Sequence, residues 1–119
     1  MTLNIDFAPT LLDWAGVGAP PQMQGRSLRP IVDGRVPADW RTSFFYEHHY
    51  GPKIIPPSEG VRTQRWAYIR WVAPNPVTEE LYDVRADPPE KDNLAGEAKY
   101  APVLGEMREA WRRMGEAAR

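Results

Sequence analysis

The 119-residue sequence contains no cysteine. Disulfides, thiolate zinc sites and a cysteine nucleophile are thereby excluded. No apolar run approaches the roughly 20 residues that span a bilayer. Charge of one sign is not in excess either. Fifteen Lys and Arg face sixteen Asp and Glu, for a formal net charge of −1, which argues against a general electrostatic grip on nucleic acid or on an anionic membrane. Histidine is limited to the adjacent pair His48 and His49. There is no internal repeat or low-complexity tract, and the nine glycines are too scattered for a phosphate-cradling loop. Met1-Thr2-Leu3-Asn4-Ile5-Asp6 shows no basic region followed by an apolar stretch, so it does not read as a signal peptide. The compartment stays open.

What is present suits one small domain, spanning 1–119, with a modest core. Hydrophobic residues make up 42% of the chain and include five Trp and five Tyr. Nine of the thirteen prolines cluster at 20–21, 52–57, 74–76 and 88–89 and divide the chain into elements. Residues 6–15 read as a helix, with Asp6 as N-cap, Pro9 in the first turn, Ala8, Leu11, Leu12 and Ala15 as its apolar stripe, and Gly16 closing it. A Gly- and Pro-rich loop follows, then one helical turn near 28–32, ended by Asp33-Gly34.

Residues 43–50 read as an aromatic-rich strand, and 51–58, with three prolines, as a loop. Segments 60–63 and 66–72 read as two strands joined by a tight turn at Gln64-Arg65. In the second, Trp66, Tyr68 and Arg70 share one face and Ala67, Ile69 and Trp71 the other, which suits a central position. Residues 80–84 form a further short strand. From 99 to 117, Tyr100, Val103, Leu104, Met107, Trp111 and Met114 recur at helical spacing, and Glu109→Arg113 is a favourable i, i+4 pair. Connections too short for crossover helices imply antiparallel pairing. The expected class is α+β: a small antiparallel sheet of about four strands, an N-terminal helix, and a long C-terminal helix across one face.

The candidate chemistry is sparse. Gly25-Arg26-Ser27-Leu28-Arg29 lacks the second glycine of a nucleophile elbow, so Ser27 reads as a loop or capping residue. On a strand, His48 and His49 point to opposite faces and do not share a metal. Asp6, Asp13 and Asp33 fit no calcium loop, and no metal site is expected. The Trp residues read mostly as core, with Trp40 and Trp71 the ones that would face a partner. The best ligand candidates are Glu47, His48, His49, Tyr50 and Lys53, five polar or aromatic groups within seven residues at the mouth of a Pro-rich loop. Tyr and His rings there would stack on a sugar face while offering polar edges.

Five stretches, in order, resemble the C-terminal domain of formylglycine-dependent sulfatases, the arylsulfatase family of the alkaline phosphatase superfamily. Asp6-Phe7-Ala8-Pro9-Thr10-Leu11-Leu12, closing at Ala15-Gly16, resembles the family's Asp-x-x-Pro-Thr-Leu-Leu helix. Gln24-Gly25-Arg26-Ser27-Leu28 with Pro30-Ile31-Val32 resembles Gln-Gly-x-Ser-Leu-x-Pro-Leu-Leu, and Trp40-Arg41 the Trp-Arg before the next strand. Val61-Arg62-Thr63 with Trp66-Ala67-Tyr68-Ile69 resembles Val-Arg-Thr-x-x-x-Lys-Tyr-Ile, with Ala67 in place of the common Lys. Glu80-Leu81-Tyr82-Asp83-Val84, Asp87-Pro88, Glu90 and Asn93-Leu94-Ala95 complete the series.

The resemblance implies a sulfuric ester hydrolase acting on sulfated glycans, most like the N-acetylglucosamine-6-sulfatase or mucin-desulfating type. Such enzymes use formylglycine, made from Cys or Ser in Cys/Ser-x-Pro-x-Arg, and calcium held by Asp and Asn. Neither Ser27 nor Ser58 begins that pattern. Nucleophile and metal ligands are therefore expected in an N-terminal catalytic domain outside this chain, no catalytic residue is assigned here, and the chain alone is expected to be inactive. The family's substrate pocket mouth would lie near 47–53. The alternative reading is a free-standing carbohydrate-binding or protein-interaction module of the same descent. In the first case the expected partners are the catalytic domain and a sulfated sugar, and an uncovered apolar face would drive self-association.

Overall fold

The computed structural model describes residues 1–49, 55–72 and 76–118. The chain divides into two compact units, Met1–Arg41 and Thr42–Arg119.

The first unit holds a short 3-10 turn at Asn4–Asp6, helix α1 (Phe7–Trp14) and the single helical turn α2 (Arg29–Val32). Pro9 falls in the first turn of α1, as expected. Gly16 closes the helix at φ +71, where a side chain would be strained. There the Val17 N–H bonds the Leu12 carbonyl at 2.8 Å and the Gly16 N–H the Asp13 carbonyl at 3.1 Å.

Asp6 does not cap α1 with its side chain. Its carboxylate instead gathers the unit. It accepts the Leu3 N–H (2.8 Å), the Arg26 N–H (2.9 Å) and two guanidinium bonds from Arg41 (2.8 and 2.9 Å). The side chain is fully buried, and Arg41 is nearly so. Burial alone would raise the Asp6 pKa, but the Arg41 hydrogen bonds, the two backbone donors and the Arg41 charge outweigh it and hold the pKa at about 2. Nearby, Thr10 Oγ1 donates to the Asp6 carbonyl and accepts from the Leu28 N–H, while Ser27 and Arg29 both bond Asp13. Trp40 is buried, its indole N–H on the Met1 carbonyl at 2.7 Å and its ring flanked by Arg26 and Arg41, so it is occupied within its own unit. Gly25 meets the Ile5 backbone so closely that a Cβ would lie 1.9 Å from the Ile5 carbonyl oxygen.

The second unit is a four-stranded antiparallel meander, β1 (Ser43–His48), β2 (Ser58–Thr63), β3 (Trp66–Trp71) and β4 (Thr78–Asp83), in that spatial order, followed by α3 (Ala101–Ala118). The α+β expectation holds, including a central β3. Strand β2 begins at Ser58, two residues before its expected start, and β4 at Thr78 rather than at 80.

Register places Phe45, Val61, Tyr68 and Leu81 side by side, and α3 lies on that row through Leu104, Met107, Trp111 and Met114. Val61, Tyr68 and Leu81 are fully buried, each worth roughly 1.5–3 kcal/mol of apolar burial. Gly115 lets the Phe45 ring come close to the helix. The outer edge of β4 is paired by Asn93 and Leu94, which bond both backbone groups of Leu81. On the exposed side of α3, Glu109 pairs with Arg112 rather than with Arg113, one turn position earlier than expected.

Two outcomes follow for Asp6. Because its folded pKa lies below the ordinary 3.8, its stabilisation is present above pH 4 and is lost as pH falls toward 2, about 2 kcal/mol in all. Asp6→Asn strands a buried guanidinium and costs about 3 kcal/mol. Amide exchange at Leu3 and Arg26 will accelerate more than tenfold in that variant, and its stability will fall by about 2 kcal/mol less between pH 4 and 2 than that of the unsubstituted chain, the carboxylates of Asp13, Asp83 and Glu79 keeping their share.

Candidate functional site

Alternation along the strands sets a second row beyond the apolar one. Glu47 faces Glu59, Glu59 faces Arg70, and Arg70 faces Glu79 across the four strands. All four side chains share the α3 face with Phe45, Val61, Tyr68 and Leu81, because they lie two residues from them. Helix α3 meets this row with Trp111 and Arg108. The Trp111 indole N–H donates to Glu59 at 2.9 Å, and the Arg70 guanidinium lies over the Trp111 ring at 4.7 Å. Arg108 bonds both oxygens of Glu79, which also accepts the Tyr68 hydroxyl at 2.5 Å. The Arg108 hydrogen bonds are the largest influence on Glu79 and hold its carboxyl below the usual range against the opposing effect of burial. Burial first, and the Glu79 hydrogen bond second, push the Tyr68 phenol up to about 12.

His49 joins the Glu47 end of the row. Its Nε2 lies 3.7 Å from a Glu47 carboxylate oxygen. Glu47, His49 and Glu59 each present one ligand atom within 4.8 Å of the others. Two carboxylates and an imidazole are hard-to-borderline donors of the kind that hold divalent cations. Both carboxylates have other partners as well, so the cluster also reads as an ion-pair network.

Of the ligand candidates read from the sequence, Glu47 and His49 are brought together, both exposed, while His48 ends β1 on the opposite sheet face and is half-buried. Tyr50 and Lys53 lie outside the described residues. Glu59, Arg70 and Glu79 were missed because the spacing between strands hides cross-strand register; the alternation of Trp66, Tyr68 and Arg70 was the available signal.

On the other sheet face, Tyr46 lies over Gly60, where a Cβ would sit 2.5 Å from the Tyr46 ring. Burial raises the Tyr46 phenol to about 12. Arg62 pairs with Glu90, whose backbone is left-handed at φ +53. The Trp71 indole N–H bonds Glu80 at 2.9 Å, and the Tyr82 hydroxyl bonds the other Glu80 oxygen at 2.9 Å, so the Trp71 ring is held in place. Trp71 stands in a cleft of about 500 Å³ with Pro56, Thr78, Glu79, Glu80 and Asn93.

The remaining serines and acids of interest have protein partners. The Ser27 hydroxyl is bound to Asp13 at 2.6 Å, and that of Ser43, which begins Ser-Phe-Phe, faces Met114. Asp6 and Asp13 are committed to Arg41 and Arg29.

Comparison with known proteins supplies the family. Residues 1–117 match the family model described as N-sulphoglucosamine sulphohydrolase, C-terminal. An N-acetylglucosamine-6-O-sulfatase of Bacteroides thetaiotaomicron is 40% identical over 112 residues, covering 90% of this chain and 20% of its own length. A Delta 4,5-hexuronate-2-O-sulfatase of the same organism is 34% identical, covering 88% of this chain and 22% of its own length. The structure of BT4656 in complex with its substrate D-glucosamine-2-N,6-O-disulfate superposes with a TM-score of 0.82 at 35% identity, over 93% of this chain and 23% of that one. The chain thus spans about a fifth of the length of the relatives it matches.

The Glu79 knot carries a testable cost. Glu79→Gln leaves Arg108 and Arg70 without their carboxylate and lowers stability by about 2 kcal/mol in urea titration, whereas Arg112→Ala, at an exposed pair, changes it by less than about 0.5 kcal/mol. The same Glu79 variant lowers the Tyr68 pKa, which ultraviolet difference titration reads directly. Matching nearly its whole length to that family model, and sharing its sheet and helices with solved relatives, this chain belongs to the C-terminal domain family of the sulfatases.

Proposed function

We propose that the chain is the substrate-facing C-terminal part of a sulfatase that removes sulfate esters from glycans, and that both of its units serve as one such part. The observation that carries this reading is the family match over residues 1–117, set against relatives about five times as long. A sulfated amino sugar is the substrate class favoured, since the 40% identical relative is an N-acetylglucosamine-6-O-sulfatase.

In this reading the chain supplies recognition and leaves bond cleavage to the remainder. Formylglycine and calcium would reside in that remainder and supply the nucleophile and its Lewis acid. Glu47 and His49 stand exposed at the end of β1, where an imidazole donor and a carboxylate acceptor suit sugar hydroxyl or amide groups. Tyr50 and Lys53 follow in the sequence, and a lysine suits a sulfate. His48 would contact sugar from the other sheet face.

A second reading, a free-standing carbohydrate-binding module, is favoured by one feature. The Trp71 ring, fixed by Glu80, is a platform on which a sugar face can stack. The carboxylates of Glu79 and Glu80 beside it suit a neutral sugar better than a sulfated one.

The test joins this chain to the preceding four-fifths of the Bacteroides N-acetylglucosamine-6-O-sulfatase. The chimera is expected to release sulfate from N-acetylglucosamine 6-sulfate, and the chain alone to release none. His49→Ala in the chimera is expected to raise KM about tenfold with kcat within about threefold, the pattern of lost ground-state binding. Turnover by the isolated chain would refute the assignment of chemistry to the remainder. Calorimetric binding of neutral N-acetylglucosamine oligosaccharides by the isolated chain, abolished by Trp71→Ala, would favour the module.

A further inference from the structure

Helix α1 turns its apolar side away from its own unit. The residues buried at its start and first turns are Asp6, Pro9 and Thr10. Phe7, Leu11 and Trp14, at i, i+4 and i+7 on one stripe, are 63%, 64% and 54% exposed. The stripe read from the sequence was Ala8, Leu11, Leu12 and Ala15. Ala8, Leu11 and Ala15 are exposed too. Among the described residues, eight of the eleven exposed large apolar side chains fall within Met1–Arg41. A groove of about 310 Å³ beside the first turn adds Ile5, Ala8 and Met23 to this surface. An amphipathic helix in a self-sufficient domain does the reverse, and apolar surface left out in this way marks an interface.

We propose that the Phe7–Leu11–Trp14 face is a docking surface whose occupant is the part of a sulfatase that this chain does not cover. The inference rests on the reading of the chain as a C-terminal sulfatase part and names the surface by which it joins the rest. Three observations select that occupant. The matched relatives carry about four-fifths of their length outside the aligned region, and the matching model is C-terminal, so the proteins this chain resembles hold a large further part able to cover the face. The stripe itself is uncharged, and Asp13 beside it is tied to Ser27 and Arg29, which suits an apolar partner surface and not a polyanion. A second copy is a poorer occupant. One eight-residue helix offers far less than the roughly 800 Å² per partner of a stable complex, whereas a part joined through the same chain docks intramolecularly and needs no such area.

The experiment follows Leu11→Glu in two settings. In the isolated chain the substitution is expected to cut bis-ANS fluorescence severalfold and to leave the circular dichroism unchanged. In the chimera it is expected to lower the yield of soluble, protease-resistant protein at least tenfold. Glu106→Lys, on the exposed side of α3, is expected to change neither. A substitution that leaves the isolated chain folded but ruins the chimera identifies a face that is open in the chain and covered in the whole. If the unsubstituted chimera fails to accumulate, Glu is placed at the position of the Bacteroides enzyme that aligns with Leu11, with the same loss expected. Tolerance of Glu in the intact context overturns the proposal, as does a stable dimer of the isolated chain that Leu11→Glu converts to monomer while the chimera tolerates it. The outcomes separate from those on function: an active chimera that tolerates Leu11→Glu refutes the docking face alone, and an inactive one that does not tolerate it refutes the sulfatase reading alone.

Discussion

The Asp6 carboxylate is the point on which the first unit depends. Four donors from three places in the sequence, Leu3, Arg26 and Arg41, converge on two oxygens that no water reaches. Desolvating that charge is expensive, and only donors on every side make it tolerable. The geometry therefore fixes where the chain before α1, the loop at 26 and the end of the unit must lie. Thr10 extends the same network to Leu28, and Gly25 lets the loop press against the Ile5 backbone. A unit ordered in this way does not need an apolar core of its own, and Trp40 is its one buried large apolar residue among those described.

The second unit is built on the opposite principle. Val61, Tyr68 and Leu81 vanish beneath α3, and apolar burial sets the register of the meander. Register then aligns the next row, Glu47, Glu59, Arg70 and Glu79, without any further instruction. Like charges facing each other across two strands, as Glu47 and Glu59 do, are unfavourable, so the nearby imidazole of His49 and the indole N–H of Trp111 matter to the stability of that end. The strand ends therefore combine a rigid base with the exposed polar groups of Glu47 and His49.

Much of this fold was legible because its signals were local. The helical spacing of Val103, Leu104, Met107, Trp111 and Met114, the closing Gly16, and the two-faced alternation of β3 all survive in the structure. What was not legible depended on partners distant in sequence. Asp6 looked like a cap because it precedes a helix, yet Arg41, 35 residues away, claims its carboxylate. Glu109 met Arg112 because the helix geometry allows either pairing. Register across the Pro-rich sequence between β1 and β2 hid the Glu47–Glu59 pair. Many of the motif residues that mark the family prove to be structural joints: Asp6, Thr10, Gly25, Trp40, Arg41, Arg62, Glu90 and Asn93 each hold a backbone or an ion pair in place. That is why the resemblance reports the fold so well and says least about residues 47–53.

The two units thus differ in what completes them. One is closed by its own helix, and the other keeps α1 with its apolar side outward. Amide hydrogen exchange compared between the isolated chain and the chimera measures that difference residue by residue. The α1 amides from Leu11 to Trp14 are expected to exchange at least tenfold more slowly in the chimera, while those of β2 and β3 are unchanged. Equal protection of α1 in both would contradict this.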